Sequence, residues 1–313
     1  MKAYPSGLKA SRLVEEMPKG RGRGVRLSTS FVSLFSLALL AIPQNAISPY
    51  WSLPDDRMDA LALDVPADDH GRYQELRDEF TGLHCPPDAL REQPTGKRDA
   101  SNLVCTLPGQ NAGLIVVVSR YEHKKGAAAN GRWSEAILVP LLYNALRGQP
   151  RVHTFVFAAL NGEAGEQAFF EDLQKNGSRP IDALVVLEDL GRTIPYVYTP
   201  RPDGLSKKSH ELATAMALLE SEAIATASLQ RFPSPRIPAR WPGMFSNSIL
   251  TREYDTPSIL IFSSAQTKMV SPTGQNDMRT PFPGPEPVTG PYFRQAFNFV
   301  AYFLSRIDMK VPV

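Results

Sequence analysis

Four short runs of the chain are dominated by Val, Ile, Leu and Phe: "GLIVVVS" from Gly113, "VHTFVFAAL" from Val152, "DALVVLEDL" from Asp182 and "PSILIFSS" from Pro257. Runs this short, with no polar face, predict strands buried on both sides. Between and after them the apolar positions change to helical spacing. "RWSEAILVPLLYNAL" puts Ile137, Leu138, Leu141, Leu142 and Ala145 on one face, with Pro140 expected to kink the helix. "EAGEQAFFEDLQKN" predicts a helix stopped at Gly177, and "SHELATAMALLESEAIATA" a long one. "YFRQAFNFVAYFLSRI" closes the chain with Phe293, Phe297, Val300, Ala301 and Leu304 in register. An earlier helix begins near Arg72 ("RYQELRDEF") and is followed by a Cys/Pro loop. "NLVCTL", from Asn102, reads as a further strand, and the Pro-Gly-Gln-Asn turn after it predicts a hairpin with "GLIVVVS" at the sheet edge.

Apolar strands alternating with amphipathic helices predict an α/β protein, a three-layer α/β/α sandwich around a mixed, mostly parallel central sheet. Sites in such sheets lie at the carboxyl ends of the strands. The loops after Ser119, Leu160, Leu187 and Ser263 are therefore the ones that matter. No internal repeat interrupts this pattern.

The first 70 residues follow a different pattern. Residues 1–26 are basic, with seven Lys and Arg against Glu15 and Glu16. "FVSLFSLALLAI", from Phe31, is apolar and closed by Pro43. A basic start followed by an apolar run is the layout of an export signal, and residues 27–48 are assigned as signal peptide or signal anchor. The run is shorter than the ~18–20 apolar residues of a full span. Cleavage after Ala46 and retention as an anchor, basic end in the cytoplasm, both stay open; so does a start at Met17 in place of Met1. Residues 49–69, acidic and proline-containing, are expected to be a linker, and 70–313 the folded domain. Export places the protein outside the cytoplasm, in a periplasmic or extracellular setting.

Composition narrows the function. The 313 residues are 42% hydrophobic with a formal net charge of +2, and no basic stripe marks the folded part, so nucleic acid is not an expected partner. Many of the 28 prolines cluster at 232–242 and 281–291, read as ordered surface loops able to dock a protein partner. Cys85 and Cys105 are the only cysteines. Outside the cytoplasm such a pair is expected to be bridged, the alternative being two buried thiols. Neither has metal-ligand spacing.

The strand-end loops carry a resemblance. "NLVCTLPG" is similar to N-V-x-A-x-x-P-G, and Arg120-Tyr121-Glu122 stands where a related motif reads H-Y-D. "ANGRWSE", from Ala129, is similar to A-N-D-N-x-S-G; Asn161-Gly162-Glu163-Ala164 to D-G-E-E; and Leu187-Glu188-Asp189-Leu190-Gly191-Arg192 to L-D-M-x-G-R. In order and spacing these resemble the di-zinc aminopeptidases of peptidase family 28, which share their fold with glutaminyl cyclases. The likeness runs from about Glu75 to Ile307.

The resemblance implies a metallopeptidase site in which two His and three carboxylates hold two zinc ions that polarise a carbonyl and supply hydroxide. Position by position, most of that set is replaced here. Arg120 occupies the first ligand position, Gly131 the bridging one, Ala164 the third and Glu188 the fourth. Glu163 keeps the general-base position, vestigial without its ligands. The last ligand is a His after the final strand, and no His follows His210. The expectation is a degenerate zinc-aminopeptidase-like protein that holds no zinc and has no assignable catalytic residue. It would be exported or membrane-anchored, binding or scaffolding a peptide or protein ligand in the inherited cleft. The alternative is an active metallopeptidase, an aminopeptidase-type hydrolase with a non-standard metal site. His123 is the nearest substitute ligand, but on an extended chain it faces with Tyr121, away from Arg120 and Glu122. Glu163, Glu166, Glu188 and Asp189 would make a weak oxygen site for calcium or magnesium. With the zinc ions gone, Arg120 is expected to supply the missing positive charge by pairing with Glu163, Glu188 or both. His84, His153 and His210 read as ordinary surface or strand-end residues, and Lys124 and Lys125 as a solvated loop.

Overall fold

A computed structural model of the protein describes residues 53–95, 101–123, 128–176, 179–199, 207–230, 256–263 and 287–312. All of them lie in one compact unit, 48–313. Residues 1–47, with the expected signal or anchor, lie outside the described residues. So do most of the two proline-rich loops, Lys124, Lys125 and the stretch after Ser263 where the last metal ligand was sought.

Seven strands form one sheet: β1 (Leu90–Pro94), β2 (Ser101–Leu107), β3 (Leu114–Arg120), β4 (Thr154–Leu160), β5 (Ile181–Glu188), β6 (Tyr196–Tyr198) and β7 (Ser258–Phe262). Their order is β1-β2-β4-β3-β5-β7-β6. The inner four, β4-β3-β5-β7, run parallel, and β1, β2 and β6 are antiparallel to their neighbours. The helices are α1 (Asp55–Leu63), α2 (Asp69–Gly82), α3 (Ala128–Arg147), α4 (Gly162–Asn176), α5 (Lys207–Leu229) and α6 (Gly290–Lys310). The chain steps outward from β3 to β4, then back across β3 to β5. Right-handed crossovers in opposite directions put α3 and α4 on opposite faces, which gives the expected three layers.

Strand alternation divides the core between those faces. Ile115, Val117, Phe155, Phe157, Ala183, Val185, Ile259 and Ile261 join α1, α2, α3, α5 and α6 on one side. Val116, Val118, Val156, Ala158, Leu184, Val186, Leu260 and Phe262 face the other, where Phe169 and Phe170 of α4 cover them. α6 buries the apolar face anticipated for it, including Phe293, Phe297, Val300, Ala301 and Leu304. α3 runs unbroken through Pro140, with Ile137, Leu138, Leu141, Leu142 and Ala145 buried. Among the described residues one helical stretch, Lys208–Leu229 in α5, is long and apolar enough to cross a membrane. It lies against α6 and β7 and buries Met216, Leu219, Ala223, Thr226 and Ala227.

Three expectations are corrected. "NLVCTL" and "GLIVVVS" do not form a hairpin: β2 and β3 flank β4, antiparallel and parallel to it respectively. A tight turn signals a change of direction, and the partner was a strand later in the chain. Residues 55–63 are not a linker but α1, which buries Met58 and Ala62 and lies against α6 and α3. His84 and His210 are exposed, but His153 is fully buried. Its Nδ1 lies 3.2 Å from the Asp308 carboxylate of α6 and its Nε2 3.7 Å from Asp182 of β5. Burial raises the pKa of Asp182, and His153 pulls the other way.

Cys85 and Cys105 are joined, tying the loop after α2 to β2 across a sequence separation of 20. A closed loop of that length restricts the unfolded chain by about 3 kcal/mol. The double variant Cys85→Ser/Cys105→Ser is expected to lose stability of that order in urea unfolding. A loss well under 1 kcal/mol would show that the bridge does not constrain the unfolded chain.

Candidate functional site

The parallel register pairs Arg120 with Leu160 and Val118 with Val186, so β3, β4 and β5 end level with one another. Arg120 follows Val116 and Val118 on the face covered by α4, and Glu188 follows Leu184 and Val186 on the same face. Tyr121 turns to the opposite core. Strand alternation therefore points Arg120 toward α4. Its Nε lies 3.6 Å from Oε2 of Glu166, whose side chain is 1% exposed. Glu163 stands one turn earlier on α4 and is exposed, while Ala164 is half-buried. The ion pair of Arg120 thus goes to Glu166 rather than to Glu163. Glu188, half-buried at the end of β5, lines the same small pocket as Arg120. Burial works to lower the Arg120 pKa, but Glu166, Glu122, Glu188 and Glu135 outweigh it and hold it above the usual guanidinium range.

A second guanidinium completes the arrangement. Arg132, one residue after Gly131 in α3, places Nη1 2.8 Å from Oε1 of Glu122. The helix expected from Arg132 begins earlier, and residues 129–131 already belong to the first turn of α3. Gly162, at φ +63°, opens α4 beside the Glu122 side chain; a Cβ there would lie 3.5 Å from it. A third arginine, Arg72 of α2, is fully buried and donates from Nη1 to the carbonyls of Tyr121 and Glu122, both at 3.1 Å. Burial lowers its pKa against the pull of Asp69, Glu122 and Glu135. These bonds fix the chain just beyond β3. Tyr121 donates to the carbonyl of Ser101 at 2.6 Å, and burial pushes its phenol up to about 12. His123 is exposed, and its backbone N–H donates to Asp69.

Glu135 of α3 is 1% exposed and accepts a hydrogen bond from the backbone N–H of Asp189. Burial pushes its carboxyl well above the usual range, with Arg132 pulling the other way. Asp189 has a positive φ of 51°, and its carboxylate holds Arg192 at 2.6 Å. Ser263 at the end of β7 donates to the Asp189 carbonyl at 2.9 Å, and Ser134 to that of Leu190. The turn after β5 is thereby bound to both α3 and β7.

Glu135 sets a pH dependence. The unfolded chain ionises this group near its ordinary value, about 4.3, whereas the folded chain holds the proton to higher pH. Its contribution to stability is complete below about pH 4 and is lost as the pH rises through the folded value. Glu135→Gln keeps a carbonyl for the Asp189 N–H and removes the ionisation. Its melting temperature relative to the parent protein should rise from acid to neutral pH. A difference that stays constant across that range would reject the buried carboxyl as the cause.

Of the residues singled out by sequence, the structure brings together Arg120, Glu122, Glu166 and Glu188. Glu163 and His123 remain outside. Arg132 and Glu135 were missed although they carried a signal, for they stand where the related motif has Asn and Gly. Arg72 carried none; it arrives from a helix far back in the chain.

The described residues at these strand ends do not by themselves make a zinc pair. Among the described residues no three His, Cys, Asp or Glu side chains are grouped to hold a metal ion. Glu166 and Asp189, two of the four carboxylates considered for an oxygen site, are engaged by Arg120 and Arg192. Two permanently charged guanidinium groups stand among the remaining donors.

No protein-family model matches the chain, and no curated protein matches it in sequence. Solved structures share its architecture. The glutaminyl cyclase of Fimbriiglobus ruber superposes with a TM-score of 0.56 at 14% identity, covering 81% of this chain and 96% of the other. An Acidobacteriales bacterium glutaminyl cyclase gives 0.54 at 14%, covering 83% and 97%. A Zn-dependent exopeptidase from Parabacteroides distasonis gives 0.52 at 12%, covering 80% and 98%. At such identities the likeness establishes architecture alone. The chain has the α/β fold shared by glutaminyl cyclases and zinc exopeptidases.

Proposed function

We propose that this is a non-catalytic protein built on the zinc-exopeptidase fold, exported or membrane-anchored, that binds a peptide or protein ligand through the cleft at the carboxyl ends of β3, β4 and β5. The observation that carries this reading is Arg120, which stands at the first ligand position and forms an ion pair with the buried Glu166. A metal ion there would have to displace a guanidinium from a carboxylate that has little access to water. The disulfide supports an oxidising compartment. The competing reading, an active aminopeptidase-type hydrolase with a non-standard metal set, rests on the carboxylates kept at Glu163 and Glu188.

Metal content and turnover of the purified protein separate the two. The expected result is no stoichiometric zinc and no release of amino acids or cyclisation of N-terminal glutamine from peptide substrates. Stoichiometric zinc, lost together with such activity on chelation, would overturn the proposal.

A further inference from the structure

A second group of ionisable side chains lies at the amino ends of the strands, at the opposite end of the sheet from the cleft. His153, which leads into β4, is fully buried between carboxylates from two other elements. On one side Asp308, in the last turn of α6, accepts from the backbone N–H groups of Val152 and His153 at 2.9 and 2.8 Å. The ring Nδ1 lies 3.1 Å from the Asp308 carbonyl oxygen and 3.2 Å from its carboxylate. Both are acceptors, so Nδ1 carries a hydrogen. On the other side Nε2 faces Oδ2 of Asp182, near the start of β5, at 3.7 Å. Both of these atoms are buried, and neither has a hydrogen-bond partner. Gly113, one residue before β3, keeps the approach open: a Cβ there would collide with the Asp182 carboxylate and crowd the His153 ring.

An imidazole with its only hydrogen on Nδ1 presents a lone pair at Nε2, and an ionised Asp182 presents another opposite it. Two buried acceptors cannot satisfy each other. One proton between them removes the conflict, as imidazolium with carboxylate or as imidazole with carboxylic acid. We infer that the folded chain binds this proton, and that Asp308, His153 and Asp182 form a proton-dependent latch holding the last turn of α6 to the amino ends of β4 and β5. The latch lies outside the cleft and stands whether or not the cleft is catalytic.

The cation beside the cluster is Arg151, which Asp308 attracts. Its hydrogen bonds go to the carbonyls of Pro108, Leu146 and Arg147, so it balances charge without giving a hydrogen to Nε2 or Asp182. Burial raises the Asp182 pKa, in keeping with a proton held in this pair. The titration belongs to the pair and not to one residue. The unfolded chain gives up the corresponding proton at about pH 6.5, the ordinary imidazole value. The folded pair has no other hydrogen for either atom and keeps it to higher pH. The latch is therefore complete below about pH 6.5 and is lost as the pH rises through the folded value.

Amide hydrogen exchange of the full chain reads the latch directly, because the N–H groups of Val152 and His153 bond to Asp308. Their protection, corrected for the intrinsic pH dependence of exchange, is expected to fall above about pH 6.5 by up to about tenfold per pH unit, the limit for one proton. Val117, inside β3, should stay protected. Asp182→Asn keeps the shape and offers Nε2 a hydrogen that does not titrate. Its protection should be flat with pH, and its melting temperature relative to the parent should rise by several degrees between about pH 5.5 and about pH 8. Protection in the parent that does not fall over this range, or an equal fall in Asp182→Asn, would overturn the inference. The parent profile decides by itself if the variant does not fold.

Discussion

Arg120→Ala, unfolded by urea in the presence of EDTA, is expected to lose about 3–5 kcal/mol of stability, the loss that follows when one partner of a buried ion pair is removed. The loss comes from what remains. Glu166 is 1% exposed, and without the guanidinium its charge is left in a site with little water. Replacing both partners changes the outcome. Arg120→Leu/Glu166→Leu leaves neither charge behind and fills similar space, so it should cost far less than either single variant. The coupling energy from the full cycle measures the pair itself. If both single variants were as mild as the double variant, Arg120 would have no electrostatic role and the functional proposal would lose its main support.

The second large effect lies one residue beyond Arg132. Trp133 is fully buried on α3, and its indole N–H donates to the carbonyl of Leu61 in α1 at 2.8 Å. It therefore joins the helix that carries Arg132 and Glu135 to the segment read from sequence as a linker. Trp133→Ala should cost about 3–5 kcal/mol, the usual range for emptying a buried aromatic site. Trp133→Phe, which keeps most of the volume and loses the hydrogen bond, should cost about 1 kcal/mol. Limited proteolysis should cut near α1 in the Ala variant before it cuts elsewhere in the described domain. Equal losses in the two variants would mean that the hydrogen bond, not the packing, carries the residue's contribution.

Legibility of the fold followed apolar density. The four inner strands and four long helices could be read because each is an apolar run or an amphipathic repeat long enough to declare its period. β1 could not: Leu90–Pro94 is half-exposed at the sheet edge, and its residues carry no buried alternation. β6 is three residues long. α1 was hidden among acidic residues and prolines, since only Met58 and Ala62 are buried on it. The hairpin was misread for a related reason. A turn motif reports local geometry, while the partner of β2 was chosen by the crossover that carries the chain to β4.

At the site, sequence determined the location and the charge inventory. Strand parity alone assigns Arg120 and Glu188 to one face and Tyr121 to the other, because side chains alternate with a fixed period of two. That Arg120 and Gly131 stand at two of the family's ligand positions is what the resemblance of the sequence implies. Which carboxylate faces which guanidinium was decided only by tertiary structure. The rotation of α4 against the sheet puts Glu166 rather than Glu163 opposite Arg120, and the extension of α3 through Gly131 brings Arg132 to Glu122. Pairing depends on the angle and distance between separate elements, and those are set by core packing that no local stretch of sequence contains.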